Sequence, residues 1–211
     1  MLPNPNVIVI ATRNAGKVKE FATLFKERQL EVRSLADYAD IPSVEEDELT
    51  FGANALKKAK TLALLLGVSV LADDSGLCVD ALGGAPGVWS ARFAGEHATD
   101  ADNNAKLVLE LQGINLPRAS NLTVDIVGYS AQFVCALALY NPLHHEVIQV
   151  EEACEGLIIL EARGTEGFGY DPLFYLPDFG LTMAELATDK KNQISHRGKA
   201  LRVMLQRMEE L

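Results

Sequence analysis

Residues 6–11, Asn-Val-Ile-Val-Ile-Ala, form an unbroken run of β-branched and small apolar side chains with no polar alternation. A strand needs such a run when both of its faces are covered, as in a sheet layered between helices. Directly after it come Thr12-Arg13-Asn14-Ala15-Gly16-Lys17 and then Val18, Phe21, Leu24 and Phe25 at helical spacing. The order strand, short polar loop, helix puts the chain in the α/β class. The junction also suits an anion, because the unpaired N–H groups and the dipole of a first helical turn face the loop. Thr12 and Asn14 can donate hydrogen bonds there, and Lys17 can meet a phosphate as a point charge. An ordinary helix cap beside a solvated lysine fits the same residues, and the loop lacks the paired glycines of the Walker pattern.

The first half continues to alternate. A strand is expected at 31–35, and a helix capped by Thr50 should run to about residue 66 with Ala55, Leu56, Ala59, Leu62, Ala63 and Leu66 inward. Another strand is expected at 68–72 and a further one at 77–82. Thr99 with Asp102 forms a capping box for a helix ending near residue 112. Three strand-like runs follow, at 131–140, 146–153 and 157–162. Strands in direct succession imply antiparallel hairpins, so the sheet is expected to be mixed, with flanking helices. A glycine-rich loop at 163–172, a short helix at 183–186 and an amphipathic helix carrying Leu201, Met204, Leu205, Met208 and Leu211 complete the chain.

With 211 residues, 48% of them hydrophobic, the chain has material for a sizeable core within one domain. A net charge of −10 argues against DNA or RNA as a partner, since such binding rests on an excess of Lys and Arg against phosphates. The start lacks the basic and apolar regions of a signal peptide, and the longest apolar stretch, 62–72, falls short of the ~20 residues of a membrane helix. No membrane partner is therefore expected, and the expected compartment is the cytoplasm. The three cysteines, Cys78, Cys135 and Cys154, stand among apolar neighbours without paired close spacing, which fits buried thiols better than a zinc site.

The chemistry-bearing residues sit at the expected strand ends and helix starts, where α/β folds gather ligands. Leu71-Ala72-Asp73-Asp74-Ser75-Gly76 ends an apolar run on two adjacent carboxylates. Two readings fit: an Asx-type turn, or a strand delivering metal ligands or a general base at its C-terminal tip, bent by Ser75 and Gly76. Glu45 and Glu46 begin a run of four acids just before Thr50, where a helix dipole favours negative charge and where a cation could also be held. Phe168 or Tyr170, within Gly167-Phe168-Gly169-Tyr170-Asp171, could stack on a planar ring or plug a core edge. Acids together with phosphate donors point to Mg²⁺-assisted phosphoryl chemistry, and a stacking aromatic near donors points to a nucleobase.

Taken together, the ordered motifs resemble those of the inosine triphosphate pyrophosphatase family, the non-canonical purine nucleoside triphosphate pyrophosphatases, bacterial type. They are Thr12-x-Asn14-x-x-Lys17, Glu45-Glu46, Thr50-Phe51-x-x-Asn54-Ala55, Ala72-Asp73-Asp74-Ser75-Gly76-Leu77, Gly83-Gly84-x-Pro86-Gly87, Ser90-Ala91-Arg92, Gly167 to Pro172 and Ile194-Ser195-His196-Arg197-Gly198. The sequence departs from the pattern at Arg13, where glycine is common, at Gly52-Ala53, where an acid often precedes the asparagine, and over residues 113–129, which fit it loosely. The resemblance implies one bilobed domain over 1–211 with two lobes around a deep cleft, assembled as a homodimer. It implies Mg²⁺-dependent hydrolysis of ITP, dITP and XTP to the monophosphate and pyrophosphate. Carried over residue by residue, Thr12, Arg13, Asn14, Ala15, Gly16 and Lys17 hold the phosphates, and Lys58 and Ser75 contact the substrate. Glu45 or Glu46 and Asp74 act around the metal, with Asp73 adjacent, and Asp74 is the general base. Phe168, Gly169, Tyr170 and Asp171 frame the base, and Lys191, His196 and Arg197 complete its recognition.

Overall fold

A computed structural model describes residues 7–13, 17, 18, 21, 25, 31–114 and 128–210. Among them, seven strands make one sheet in the order β2-β1-β3-β4-β5-β6-β7. They are β1 (Val7–Ile10), β2 (Glu31–Ser34), β3 (Ser69–Val79), β4 (Tyr129–Asn141), β5 (Glu146–Ile158), β6 (Phe174–Leu176) and β7 (Leu181–Thr182). β1 runs parallel to both β2 and β3, whereas β5 with β6 and β6 with β7 are antiparallel, so the sheet is mixed as expected. Besides the helical positions at 17, 18, 21 and 25, the described helices are α1 (Phe51–Leu66), α2 (Asp100–Gln112), α3 (Thr188–Ile194) and α4 (His196–Glu209). None is long and apolar enough to cross a membrane.

Two compact units are distinguished along the chain. The first holds residues 1–74, 135–152 and 197–211, and the second holds 75–134 and 153–196. In the first unit, all four residues of β1 are buried, as the run without polar alternation requires. Its core joins Ile8 and Ile10 to Leu71, Cys135, Leu137, Ile148 and Val150, with Phe21 and Phe25 fully buried at helical positions. α4 adds Ala200, Leu201, Met204 and Leu205, the 3.6-residue stripe of the sequence. Burying one such leucine contributes roughly 1.5–3 kcal/mol relative to exposure. In the second unit, Leu107 and Leu111 of α2 pack with Leu77, Val79, Phe133, Ile158 and Phe174.

The expected caps are present. Thr50 Oγ1 accepts from the Ala53 N–H at 3.2 Å, and α1 stops at Gly67, whose φ of 68° is the left-handed conformation that glycine adopts without a side-chain clash. Thr99 and Asp102 form the reciprocal capping box of α2.

Three expectations change. Residues 68–72 and 77–82 are not separate strands: β3 runs unbroken through Asp73, Asp74, Ser75 and Gly76 to Val79, followed by a short 3-10 turn at Asp80–Leu82. The reason is that both acids find polar partners while buried, and Leu77 and Val79, fully buried, draw the strand onward. Likewise β5 is one strand to Ile158 in place of two. The short strands β6 and β7 and the seven-residue α3 carried no periodic signal long enough to be read. The expected helical turn at 183–186 is a 3-10 turn at Met183–Glu185. Leu24 and Leu211, expected on helix faces, lie outside the described residues.

Candidate active site

The carboxylates of the first unit are organised by β3. Its two adjacent acids draw different hydrogen-bond partners, as successive positions of an extended strand do. Asp73 is 2% exposed; Lys17 Nζ donates to its Oδ2 at 2.6 Å, and Arg197 Nε, itself on a 5% exposed residue, lies 3.8 Å from the same oxygen. Burial alone would raise the Asp73 pKa, but Lys17, Arg197 and Lys58 outweigh it and hold the group well below the ordinary carboxylate range. Asp73 is thus a fixed anion.

Asp74 is the opposite case. Burial and the neighbouring Glu46 push its pKa up to about 6, against the opposing pull of the Asn54 hydrogen bond and Lys58. The Asn54 amide donates to Asp74 Oδ2 at 3.0 Å, while Asn54 Oδ1 accepts the Glu48 N–H at 2.9 Å. Asn54 is 1% exposed on α1, so one buried side chain ties the acidic segment to β3. The sequence reading gave it no role in the site. The signal was available: an amide on the buried face of a helix, three residues after Phe51 and beside Ala55, needs partners in the core. Lys58 of α1 pairs with Glu46 and lies close enough to Asp73 and Asp74 to have its own pKa raised by them. Glu45 is exposed.

Thr12 is half-buried at the end of β1, its backbone bound to Ile10 and Leu35. Arg13, exposed, donates to the Ile41 carbonyl at 3.0 Å. Asn14, Ala15 and Gly16 lie outside the described residues.

The remaining predicted residues gather in the second unit around 167–171. Asp171, 4% exposed, accepts from the Phe168 N–H at 3.0 Å and from Lys191 Nζ at 2.7 Å. Gly167 has a φ of 83°, and a Cβ there would stand 2.1 Å from Asp171 Oδ2, so only glycine fits. Phe168 is 37% exposed, with the Lys191 ammonium 5.1 Å from its ring centroid. Tyr170, in contrast, is buried, and its hydroxyl donates to the Ser90 carbonyl at 2.8 Å. Of the two aromatics, Phe168 keeps a partly exposed ring and Tyr170 anchors the loop. His196 stacks on Phe133 at 4.9 Å. Ser75 is half-buried in β3. Lys191 therefore belongs with the loop, His196 with Phe133 of β4, and Arg197 with the Asp73 group.

Chemically, the first group combines a fixed carboxylate–cation cluster, able to orient an anionic substrate, with a buried carboxylate poised near neutrality, able to accept a proton. Among the described residues no three metal-ligating side chains form a ready cluster. The donor set nevertheless fits a hard cation at Glu46 and Asp74: their mutual repulsion raises the Asp74 pKa, and a divalent ion between oxygen ligands would relieve it. Asp73 already has its charge matched by Lys17 and Arg197.

The profile of the Ham1 family matches residues 8–207. A dITP/XTP pyrophosphatase of Geobacillus kaustophilus is 52% identical over 204 residues, covering 97% of this chain and 95% of the relative. One from Listeria monocytogenes (strain EGD-e) is 48% identical over 195 residues, 92% of this chain and 91% of the relative. A HAM1 protein structure from Coxiella burnetii superposes with a TM-score of 0.86 at 37% identity, covering 97% of this chain and 99% of that one. The Staphylococcus aureus Ham1 protein gives 0.83 at 38% identity, with 97% and 98% covered. Agreement at this level over nearly the whole length, together with the paired acids on β3, makes this chain a member of the Ham1 family.

Proposed function

We propose that the chain hydrolyses non-canonical purine nucleoside triphosphates, ITP, dITP and XTP, to the nucleoside monophosphate and pyrophosphate, removing deaminated purines from the nucleotide pool. The observation that carries the reading is the buried Asp73–Asp74 pair, one acid held ionised by Lys17 and Arg197 and the other tuned to about 6. Its relatives named dITP/XTP pyrophosphatase supply the substrate class.

In this mechanism Thr12, Lys17 and Lys58, with the loop at Arg13, Asn14, Ala15 and Gly16, bind the triphosphate. Asp74 takes the proton of a water attacking the α-phosphorus, the bond to the α–β bridging oxygen breaks, and pyrophosphate departs. In the metal-free protein a pKa of about 6 leaves Asp74 ionised at neutral pH yet more basic than an ordinary carboxylate. Lys17 balances charge developing on the leaving group. Glu46 and Asp74, with Glu45 and Asp73 around them, would hold Mg²⁺, which when bound supplies further positive charge against the departing pyrophosphate. Ser75 contacts the substrate, Phe168 stacks on the base, and Gly169, Tyr170 and Asp171 frame it. Donors from Lys191 and His196 pair with the O6 acceptor of hypoxanthine or xanthine, while Arg197, which the fold sets beside Asp73, holds that carboxylate ionised. The N6 amine of adenine would leave such a donor orphaned, at about 1–3 kcal/mol per buried group, or roughly tenfold to hundredfold in discrimination. A cytoplasmic homodimer belongs to the same reading through the family resemblance.

The test is pyrophosphate release from ITP, dITP, XTP, GTP, ATP and dTTP side by side with Mg²⁺. The first three should exceed the others in kcat/KM by at least about tenfold. A preference for ATP or dTTP, or release of orthophosphate in place of pyrophosphate, would overturn it.

A further inference from the structure

The loop carrying Phe168 is held by two side chains of α2 that no step above uses. The Gly169 N–H donates to Asp100 Oδ2 at 2.7 Å, and the Gly169 carbonyl accepts from Asn104 Nδ2 at 2.9 Å. Asp100 and Asn104 are four residues apart, one helical turn, so they project side by side from the same face of α2. Together they grip both polar groups of one glycine, whose φ of 62° is again left-handed. Binding the Gly169 N–H fixes the peptide plane that follows Phe168, and Asp171 Oδ2 fixes the N–H that precedes it. The backbone of Phe168 is therefore clamped on both sides while its ring stays 37% exposed.

Asn104 bears a cost for this. Its Oδ1 is buried with no hydrogen-bond partner among the described residues, a rare condition in a folded protein. Turning the amide over would aim that oxygen at the Gly169 carbonyl, so the carbonyl dictates the orientation. Asp100, in the first turn of α2, has the helix dipole as an ordinary reason to be acidic. That reason does not account for its bond to a loop 69 residues away, nor for Asn104 beside it.

We propose that Asp100 and Asn104 are positioning residues that preset the Phe168 ring for the purine base, so that they govern nucleotide affinity and leave the chemical step untouched. This rests on the pyrophosphatase reading above. A ring whose backbone is fixed before binding loses little conformational entropy when a base stacks on it. Releasing the clamp lets Phe168 sample other orientations, and part of the binding free energy then goes into ordering it. Phosphate binding, assigned above to Thr12, Lys17 and Lys58, is expected to be unaffected.

The experiment compares wild type with Asn104→Ala, Asn104→Asp, Asp100→Ala and Asp100→Asn. Wild type must first release pyrophosphate from ITP; if it does not, the functional reading fails and not this inference. Asn104→Ala and Asp100→Ala should raise KM for ITP on the order of tenfold with kcat within about twofold. Asn104→Asp, which sets an acceptor against the Gly169 carbonyl, should raise it at least as far. Asp100→Asn keeps an acceptor oxygen and should restore a near-wild-type KM. Inhibition by IMP should weaken in parallel with KM, while inhibition by pyrophosphate, which has no base, should not move. An unchanged KM in both alanine variants, a loss confined to kcat, or equal weakening of IMP and pyrophosphate would overturn the proposal. Should Asn104→Ala fail to fold, the pair Asp100→Ala and Asp100→Asn, at an exposed position, decides the matter alone.

Discussion

Asp73 and Asp74 are covalent neighbours with opposite electrostatic fates. Both are buried, and burial penalises both charges, but two cations close on Asp73 while Glu46 faces Asp74. The consequence for stability is specific. In the metal-free protein the folded state binds the Asp74 proton more tightly than the unfolded chain, whose carboxylate titrates near 3.9. Stability from this group is therefore complete below about pH 4 and is lost as pH rises through about 6. The shift of about two units sets the loss at about 1–3 kcal/mol. Asp74→Asn should remove that slope: the metal-free variant melts higher than wild type at pH 8 and like it at pH 4, yet loses nearly all turnover. Thermal melts at the two pH values with a pyrophosphate-release assay check this, and near-wild-type activity would take Asp74 out of the mechanism.

β3 shows how an element's extent depends on partners that its own residues do not reveal. Asp-Asp-Ser-Gly reads locally as a turn, because these residues favour turns when solvent satisfies them. In the fold, Lys17, Arg197 and Asn54 satisfy the acids instead, and the chain stays extended for 11 residues. The helices were legible because their signals are local: caps at Thr50 and Thr99, apolar stripes at 3.6 residues, a glycine stop at Gly67. In the β5–β6 hairpin the two strands approach closely at Gly156. A Cβ there would lie 2.5 Å from the Phe174 ring and 2.7 Å from the Tyr175 carbonyl oxygen. Phe174 is fully buried and cannot retreat. Gly156→Ala should therefore destabilise by about 1–3 kcal/mol, an overpacking cost seen as a lower Tm in a thermal melt. An unchanged Tm would show that the hairpin yields.

At the scale of the molecule, an excess of ten negative charges coexists with Lys17, Lys58 and Arg197 gathered beside Asp73 and Glu46. A cation binding Glu46 and Asp74 in the native state alone must raise the melting temperature of the whole chain. Magnesium should raise Tm at pH 8 relative to EDTA, and by less at pH 5, where Asp74 is protonated below its pKa of about 6. Glu46→Gln should reduce the shift; equal shifts at both pH values and in the variant would remove this pair as the cation site. By itself the sequence determined the α/β class, the long helices with their caps, the buried first strand and the inventory of acids, bases and the glycine-rich aromatic loop. These depend on neighbours within a few residues, where spacing and side-chain chemistry act directly. Only the tertiary structure decided that Lys17 meets Asp73 across 56 residues and that Asn54 meets Asp74 across 20. It likewise decided that Phe168, and not Tyr170, keeps an exposed ring. Such pairings are set by which buried surfaces close together, and no local pattern along the chain encodes that choice. The two acids that looked alike in the sequence therefore acquired opposite electrostatic surroundings only when the chain folded around them.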